Sequence, residues 1–212
     1  PDWYVVADGM GGHLAGDVAS TIAIDELARR PRPAGPDPTA DIDAAVVAAN
    51  TAIRERASRD GTNGMGTTVV GATMVDDGPS VAVFHVGDSR CYRLLDGELS
   101  LLTTDHSHVQ ELVDAHLISP VEAARHPLRN VVTRAVGVDE TVRPDIVTLS
   151  RPGRLLLCSD GLSGELAPRS IGRVLAGLDD PQAAAERLVA LALNGAARDN
   201  VTALVVDFAL PN

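Results

Sequence analysis

The order of elements in this sequence predicts an α+β fold, with antiparallel sheets sandwiched between helical layers. Apolar runs of strand length cluster in the middle of the chain, with Asp77-Gly78 and Asp96-Gly97 between neighbouring runs. Asp-Gly between apolar runs is a strong hairpin signal, so adjacent strands should be antiparallel. Helical stretches gather before and after this block instead of alternating one by one with strands, as βαβ units do.

Trp3 to Ala7 (WYVVA) reads as a buried strand that stops at Asp8-Gly9. A glycine-rich turn follows, then an alanine-rich helix from about Asp17 to Arg30. Pro31 to Pro38 holds four prolines and a glycine, which makes it a loop. Thr39 is placed to cap the next helix, which runs to about Ser58 with Ile42, Val46, Ala49 and Ile53 along one stripe. After a loop over Gly61 to Gly66, strands are expected at Thr67 to Val75, Val81 to Val86, Cys91 to Leu95 and Leu99 to Leu102. Asp105 to Gly137 turns helical and polar, interrupted at His126-Pro127. Strands resume at Asp145 to Leu149 and Arg154 to Cys158, helices cover Pro168 to Gly177 and Pro181 to Leu193, and Val201 to Phe208 is a last strand.

Composition narrows the function classes. A chain of 212 residues that is 45% hydrophobic suits a single domain over residues 1–212 with a sizeable core. Aromatics are only 2%, so Val, Leu, Ile and Ala must fill that core. The formal net charge of -11 argues against a nucleic-acid partner, which needs a basic face. A phosphate substrate stays open, because bound divalent cations can supply positive charge. Cys91 and Cys158 lie in apolar runs and read as buried, reduced thiols. No apolar run approaches the roughly 20 residues that span a bilayer, and the start shows no signal-peptide pattern. The expectation is a cytoplasmic, monomeric domain with no direct membrane insertion, free-standing or cut from a longer membrane protein.

Three acidic positions sit at the ends of apolar strands. Asp8-Gly9 follows WYVVA, Asp160-Gly161 follows LLLCS, and Asp199-Asn200 precedes VTALVV. A strand end places its last side chain on the rim of the sheet, and a glycine after the aspartate lets the backbone carbonyl approach a cation. Carboxylate, carbonyl and water oxygens are what hard ions such as Mg²⁺ and Mn²⁺ prefer. The same dipeptide also makes plain hairpin turns, so position alone does not single out ligands. The loop Gly9-Met10-Gly11-Gly12-His13 is not a nucleotide motif: Leu14 stands where G-x-G-x-x-G needs its third glycine, and no Gly-Lys-Ser/Thr follows.

The string VVADGMGGHLAGDVAS (Val5 to Ser20) resembles the signature of the bacterial type 2C, metal-dependent serine/threonine protein phosphatases. The resemblance continues in GMGTTVVGA (Gly64 to Ala72), VGDSRCYRL (Val86 to Leu94), LTTDHS (Leu102 to Ser107), HPLRNVVTRAVG (His126 to Gly137), LLLCSDGL (Leu155 to Leu162) and RDNVTALVV (Arg198 to Val206). Seven blocks in the family's order cover almost the whole chain.

That resemblance implies a four-layer α-β-β-α sandwich with two central antiparallel sheets. It implies hydrolysis of phosphoserine and phosphothreonine in phosphorylated proteins, by direct attack of a water between two Mn²⁺ or Mg²⁺ ions, with a weaker third ion nearby. Asp8 takes the place of the aspartate between the two ions, Gly9 of the residue offering its carbonyl, and Asp160 and Asp199 of ligands to the first ion. Asp105, with Asp160, takes the place of the third-ion pair. His13, Asp88 and Asn200 take supporting or substrate-contact places, Asp88 being as compatible with a structural role. The histidine that follows Asp-Gly in many eukaryotic members is Met10 here. His106, His108, His116 and His126 are expected as solvated or capping residues, on a segment that in the family is a mobile flap.

The start of the chain departs from the family pattern. Relatives carry an upstream strand with an arginine that grips the substrate phosphate, whereas only Pro1 to Ala7 precede Asp8 and none is arginine. The expectation is a catalytic domain lacking that strand, with an exposed sheet edge at Trp3 to Ala7 and reduced activity. The alternatives are a pseudophosphatase that signals by contact and a hydrolase of small phosphomonoesters.

Overall fold

The structure is a computed structural model that describes residues 3–35, 37–62, 64–75, 80–195 and 199–208, with the side chain of His13 outside that description. In chain order its elements are β1 (Trp3–Val6), β2 (Gly9–Met10), α1 (His13–Ala28), α2 (Thr39–Asp60), β3 (Gly66–Thr67), β4 (Val69–Met74), β5 (Val81–Val86), β6 (Arg90–Leu95) and β7 (Glu98–Leu101). There follow α3 (His108–Asp114), α4 (Pro120–Ala123), β8 (Asp145–Leu149), β9 (Arg154–Cys158), α5 (Asp160–Ser163), α6 (Pro168–Gly177), α7 (Pro181–Leu193) and β10 (Ala203–Asp207).

Two four-stranded sheets, ordered β1-β4-β5-β8 and β10-β9-β6-β7, are antiparallel throughout. They face each other across a layer of Val6, Val70, Val83, Cys91, Leu155 and Leu157. Helices α1 and α2 cover the outer face of the first sheet through Ala19, Ala23, Leu27, Ile42, Val46 and Ile53. Helices α6 and α7 cover the second through Ile171, Leu175, Ala184 and Leu188. The result is the expected α-β-β-α sandwich. With so few aromatics, one pair matters: Trp3 meets Phe84 edge-on at 5.5 Å, and Gly71, opposite Phe84, leaves the ring room that any Cβ would take.

Several boundaries moved for local reasons. The stripe Ile42, Val46, Ala49 and Ile53 is buried as expected, but Thr39 lies inside α2 and Pro38 occupies the N-cap. Asp96 and Gly97 both adopt positive φ, as a two-residue hairpin turn between β6 and β7 demands. β4 and β5 pair antiparallel, while the Asp77-Gly78 turn expected between them lies outside the described residues. The stretch from Asp105 to Gly137 forms only the short helices α3 and α4, each begun by a serine cap, Ser107 and Ser119. The remainder is loop tied down by bridges at Ser107–Val132 and Thr67–Val136. Among the described residues β1 is the outermost strand of its sheet.

Register places the functional end. Val6 pairs with Val70, and Val69 pairs with Val86, so the end of β1 lies beside the start of β4 and the end of β5. Cys158 pairs with both Arg90 and Ala203, so the end of β9 sits between the starts of β6 and β10. Asp8, Asp88, Asp160 and Asp199, at or near these ends, therefore share one rim of the sandwich.

A candidate metal centre on the rim of the sandwich

The backbone of Asp8 is clamped before its side chain is considered. Its carbonyl accepts from Thr68 N (2.8 Å) and Thr67 Oγ1 (2.9 Å), and its N–H donates to Thr68 Oγ1 (3.3 Å). Gly9 pairs with Thr67, and a Cβ on Gly9 would meet the Gly16 carbonyl at 2.1 Å, so β2 lies directly against α1. Asp160 opens α5 immediately beyond β9, where the N-terminal end of a helix favours a carboxylate. Ser159 ties this corner to the third strand end: its Oγ donates to Asn200 O (3.3 Å) and accepts from Thr202 N (3.0 Å). Gly161 permits the contact, because a Cβ there would lie 2.1 Å from Asn200 O.

Four carboxylates gather at this rim. Asp8 is pushed up to about 7, first by burial and then by the charges of Asp160 and Asp199, and it shares a hydrogen bond with Asp160. Burial raises Asp160 as well, with Asp199 the next cause. Asp88 is pushed up to about 7 by burial and by Asp160 and Asp105. Among the described residues no ion pair joins a Lys, Arg or His to Asp8, Asp88, Asp160 or Asp199. Grouped carboxylates with unmet negative charge and oxygen-only donors fit hard divalent cations.

The expected residues divide accordingly. Asp8, Gly9, Asp160 and Asp199 come together at the rim, and Asp88 joins them. Asp105 is nearby, but both of its oxygens are taken by Arg90, at 2.8 and 2.6 Å. Asn200 contributes its carbonyl to Ser159, with the side chain exposed. His13 is the first residue of α1, and its side chain is outside the described residues.

His106 is not the solvated residue expected from the sequence; it is buried, and Gly87 N donates to its Nδ1 (3.1 Å). His126 does cap a turn, accepting from Leu128 N, and His116 is exposed. His85, His106 and Asp145 bring ligand-type atoms within 4.8 Å of one another. The bonding of His106 opposes a cation there. The Gly87 bond leaves the proton of neutral His106 on Nε2, facing Asp145 Oδ2 at 3.3 Å without the alignment of a hydrogen bond. His85 Nε2 is 2.8 Å from the Thr104 carbonyl, which can only accept, and the two rings stack at 4.5 Å. The cluster instead pins both neighbours of Asp105 to the sheet.

Sequence reasoning passed over Arg90, Arg129 and Asn130, although each lies within a quoted block. With Asp88, Asp105 and Asp160 they line a cavity of about 400 Å³ under α3 and α4. Arg129, Asn130 and Asp160 also line a second cavity of about 350 Å³ that reaches Asp199. Nothing in residue spacing shows that residues 129 and 160 line one cavity.

A family model described as Protein phosphatase 2C matches residues 2–194. The serine/threonine protein phosphatase PstP of Mycobacterium tuberculosis is 43% identical over 208 residues, covering 95% of this chain and 39% of that protein. The chain thus spans about two fifths of that relative's length. The crystal structure of the M. tuberculosis serine/threonine phosphatase PstP/Ppp matches with a TM-score of 0.89 at 41% identity, covering 98% of this chain and 88% of the other. A structure of the PstP catalytic domain in complex with two manganese ions matches with a TM-score of 0.85 at 40% identity, covering 97% and 87%. On this match, and on the sandwich beneath it, the chain belongs to the Protein phosphatase 2C family.

Proposed function

We propose that this chain is a metal-dependent phosphoprotein phosphatase that hydrolyses phosphoserine and phosphothreonine. The observation that carries the reading is the uncompensated carboxylate group on the rim, where Asp8 is pushed up to about 7. Manganese ions bound to the related PstP catalytic domain support it. Bound divalent cations would supply Lewis acidity, lowering the pKa of water and offsetting charge on a phosphoryl group. Asp8 would serve two ions, Gly9 would add its carbonyl, and Asp160 and Asp199 would hold the first.

For a further, weaker ion we assign Asp88 in place of Asp105. Asp160 raises Asp88 and both raise Asp8, and Asp88 has no ion-pair partner among the described residues, whereas Asp105 is ion-paired with Arg90 although its charge still raises Asp88 and Asp160. In the free protein the proton shared by Asp8 and Asp160 keeps the pair from full ionisation, and cation binding would release it. Arg129 and Asn130, beside Asp160 on the loop after α4, are placed to contact an incoming phosphoryl group.

We further propose a single domain that acts as a cytoplasmic monomer on phosphorylated proteins, without nucleic acid. Its net charge of -11 and its two buried thiols support that setting. No helix among the described residues is long and apolar enough to cross a membrane.

The test is phosphate release from a phosphothreonine peptide with Mn²⁺, with and without chelator, for the wild type and Asp160→Asn. Hydrolysis should vanish with chelator and fall at least a hundredfold in the variant, by the scale of lost catalytic electrostatics. Activity that survives chelation, or an unimpaired Asp160→Asn, would sink the metal mechanism.

A further inference from the structure

We infer that the cavity under α3 and α4 is a subsite for an apolar side chain flanking the phosphorylated residue of the substrate, a specificity device that rests on the phosphatase reading above. One wall is aliphatic, with Val109 and Val113 from α3 and Pro120 and Ala123 from α4, while Ser107, Gln110 and Ser163 line other parts of it. Its floor carries Arg90 and Asp105, which neutralise each other in a two-point ion pair. Asp88 and Asp160 stand at the edge shared with the carboxylate centre.

The cavity on the other side of Arg129 has a different character. It shares Ala124, Arg129, Asn130, Asp160 and Gly164 with the first, but Arg125, Glu165 and Asp199 stand in place of the aliphatic wall. A phosphopeptide with its phosphate at Asp160 would therefore have one flank against aliphatic carbon and the other among charges. An extended chain advances about 3.3–3.6 Å per residue and alternates its side chains, so a residue one or two positions away reaches either cavity.

The chemistry selects the occupant. An acidic flanking side chain would lose hydration with no free cation to meet, since Arg90 is committed to Asp105 and Arg129 to the phosphoryl group. A lysine or arginine would lose hydration against Val109 and Val113, with Asp105 committed to Arg90 and with Asp88 and Asp160 committed to the bound ions. A leucine, methionine or phenylalanine buries apolar surface at no such cost. The cavity volume of about 400 Å³ accommodates any of the three.

The experiment uses the full 212-residue chain loaded with Mn²⁺. Phosphothreonine peptides in an alanine background carry Leu, Asp or Lys at each of the two positions on either side of the phosphoresidue. On one side only, Leu should exceed Asp and Lys in kcat/KM by on the order of tenfold, the scale of burying a Leu side chain. Val113→Asp should bring that Leu/Asp ratio to about one or below. Val113 is half-buried, so Ala123→Asp on the short helix α4 serves as a second variant, with thermal melts to show that each is folded. Equal rates for Leu, Asp and Lys at every position overturn the subsite, as does a Leu preference that survives both variants. If no peptide is hydrolysed, the phosphatase reading fails, and fluorescence anisotropy with the same peptides decides the subsite. Tighter binding of the Leu peptides supports it, and equal affinities overturn it.

Discussion

Arg90 grips Asp105 at two points, Nε to Oδ1 at 2.8 Å and Nη2 to Oδ2 at 2.6 Å, with Nη1 turned to the Tyr92 hydroxyl at 3.3 Å. The pair is mostly shielded, with 30% of the Arg90 side chain and 15% of Asp105 exposed. Both residues were legible in the sequence as parts of separate blocks, but not as partners. Removing one member of a shielded pair strands the other's charge, at about 3–5 kcal/mol when burial is complete. Arg90→Ala should cost about 2–3 kcal/mol in chelator, given the residual exposure. Urea unfolding checks this, and a loss below about 0.5 kcal/mol would mean that solvent already screens the pair.

The same pair sets an expectation for ion number. Titration calorimetry with Mn²⁺ should find Asp105→Asn binding as many ions as the wild type, because Asp105 answers to Arg90. Asp88→Asn should lose the weakest ion and keep the tighter ones. The opposite result would return the third-ion role to Asp105.

Stability should depend on pH with an unusual sign when no cation is bound. Asp8 moves from its ordinary 3.8 to about 7 in the folded protein, chiefly through burial and then through Asp160 and Asp199, and Asp88 moves as far. Between those values the folded state holds more protons than the unfolded one, so stability falls as pH rises. This contribution is fully present below about pH 4 and is lost through about pH 7. Chelated protein should therefore melt lower at pH 8 than at pH 5. Asp8→Asn should flatten the trend and raise the pH 8 melting temperature, by about 2–4 °C per kcal/mol of relief in a chain this size. A melting temperature that climbs from pH 5 to 8 in chelator would contradict the crowded-carboxylate account.

Gly161 offers a steric test independent of charge. A Cβ at this position would sit 2.1 Å from the Asn200 carbonyl, in backbone that cannot yield without moving Asp199. Gly161→Ala should destabilise by more than about 2 kcal/mol, the range of overpacked sites, and weaken Mn²⁺ binding together with stability. Gly177 meets nothing within 4 Å of an added Cβ, so Gly177→Ala is the matched control and should change neither appreciably.

Much of the fold was legible because its signals are local. The stripe Ile42, Val46, Ala49 and Ile53 follows helical periodicity, and all four residues are buried on one face of α2. Strands β5, β8 and β9 fall at the expected residues, and Asp96-Gly97 makes the expected turn. Residues 105–137 were misread because their polarity suits a helix, yet short helices cannot stand alone and tertiary bridges hold the rest as loop. His106 was misread for a related reason. Its burial depends on Gly87 and on a stacked His85, 21 residues away in sequence, and no local pattern encodes that contact.

By itself the sequence determined most of the strands and long helices, the hairpin pairing and the acidic residues Asp8, Asp160 and Asp199 at strand ends, because each depends on neighbours close along the chain. Only the tertiary structure decided which carboxylates act together. Sheet register brings Asp88 to the rim beside Asp8 and Asp160, while Arg90 holds both oxygens of Asp105. Proximity in space, and the electrostatic crowding that comes with it, exists only after the two sheets have packed.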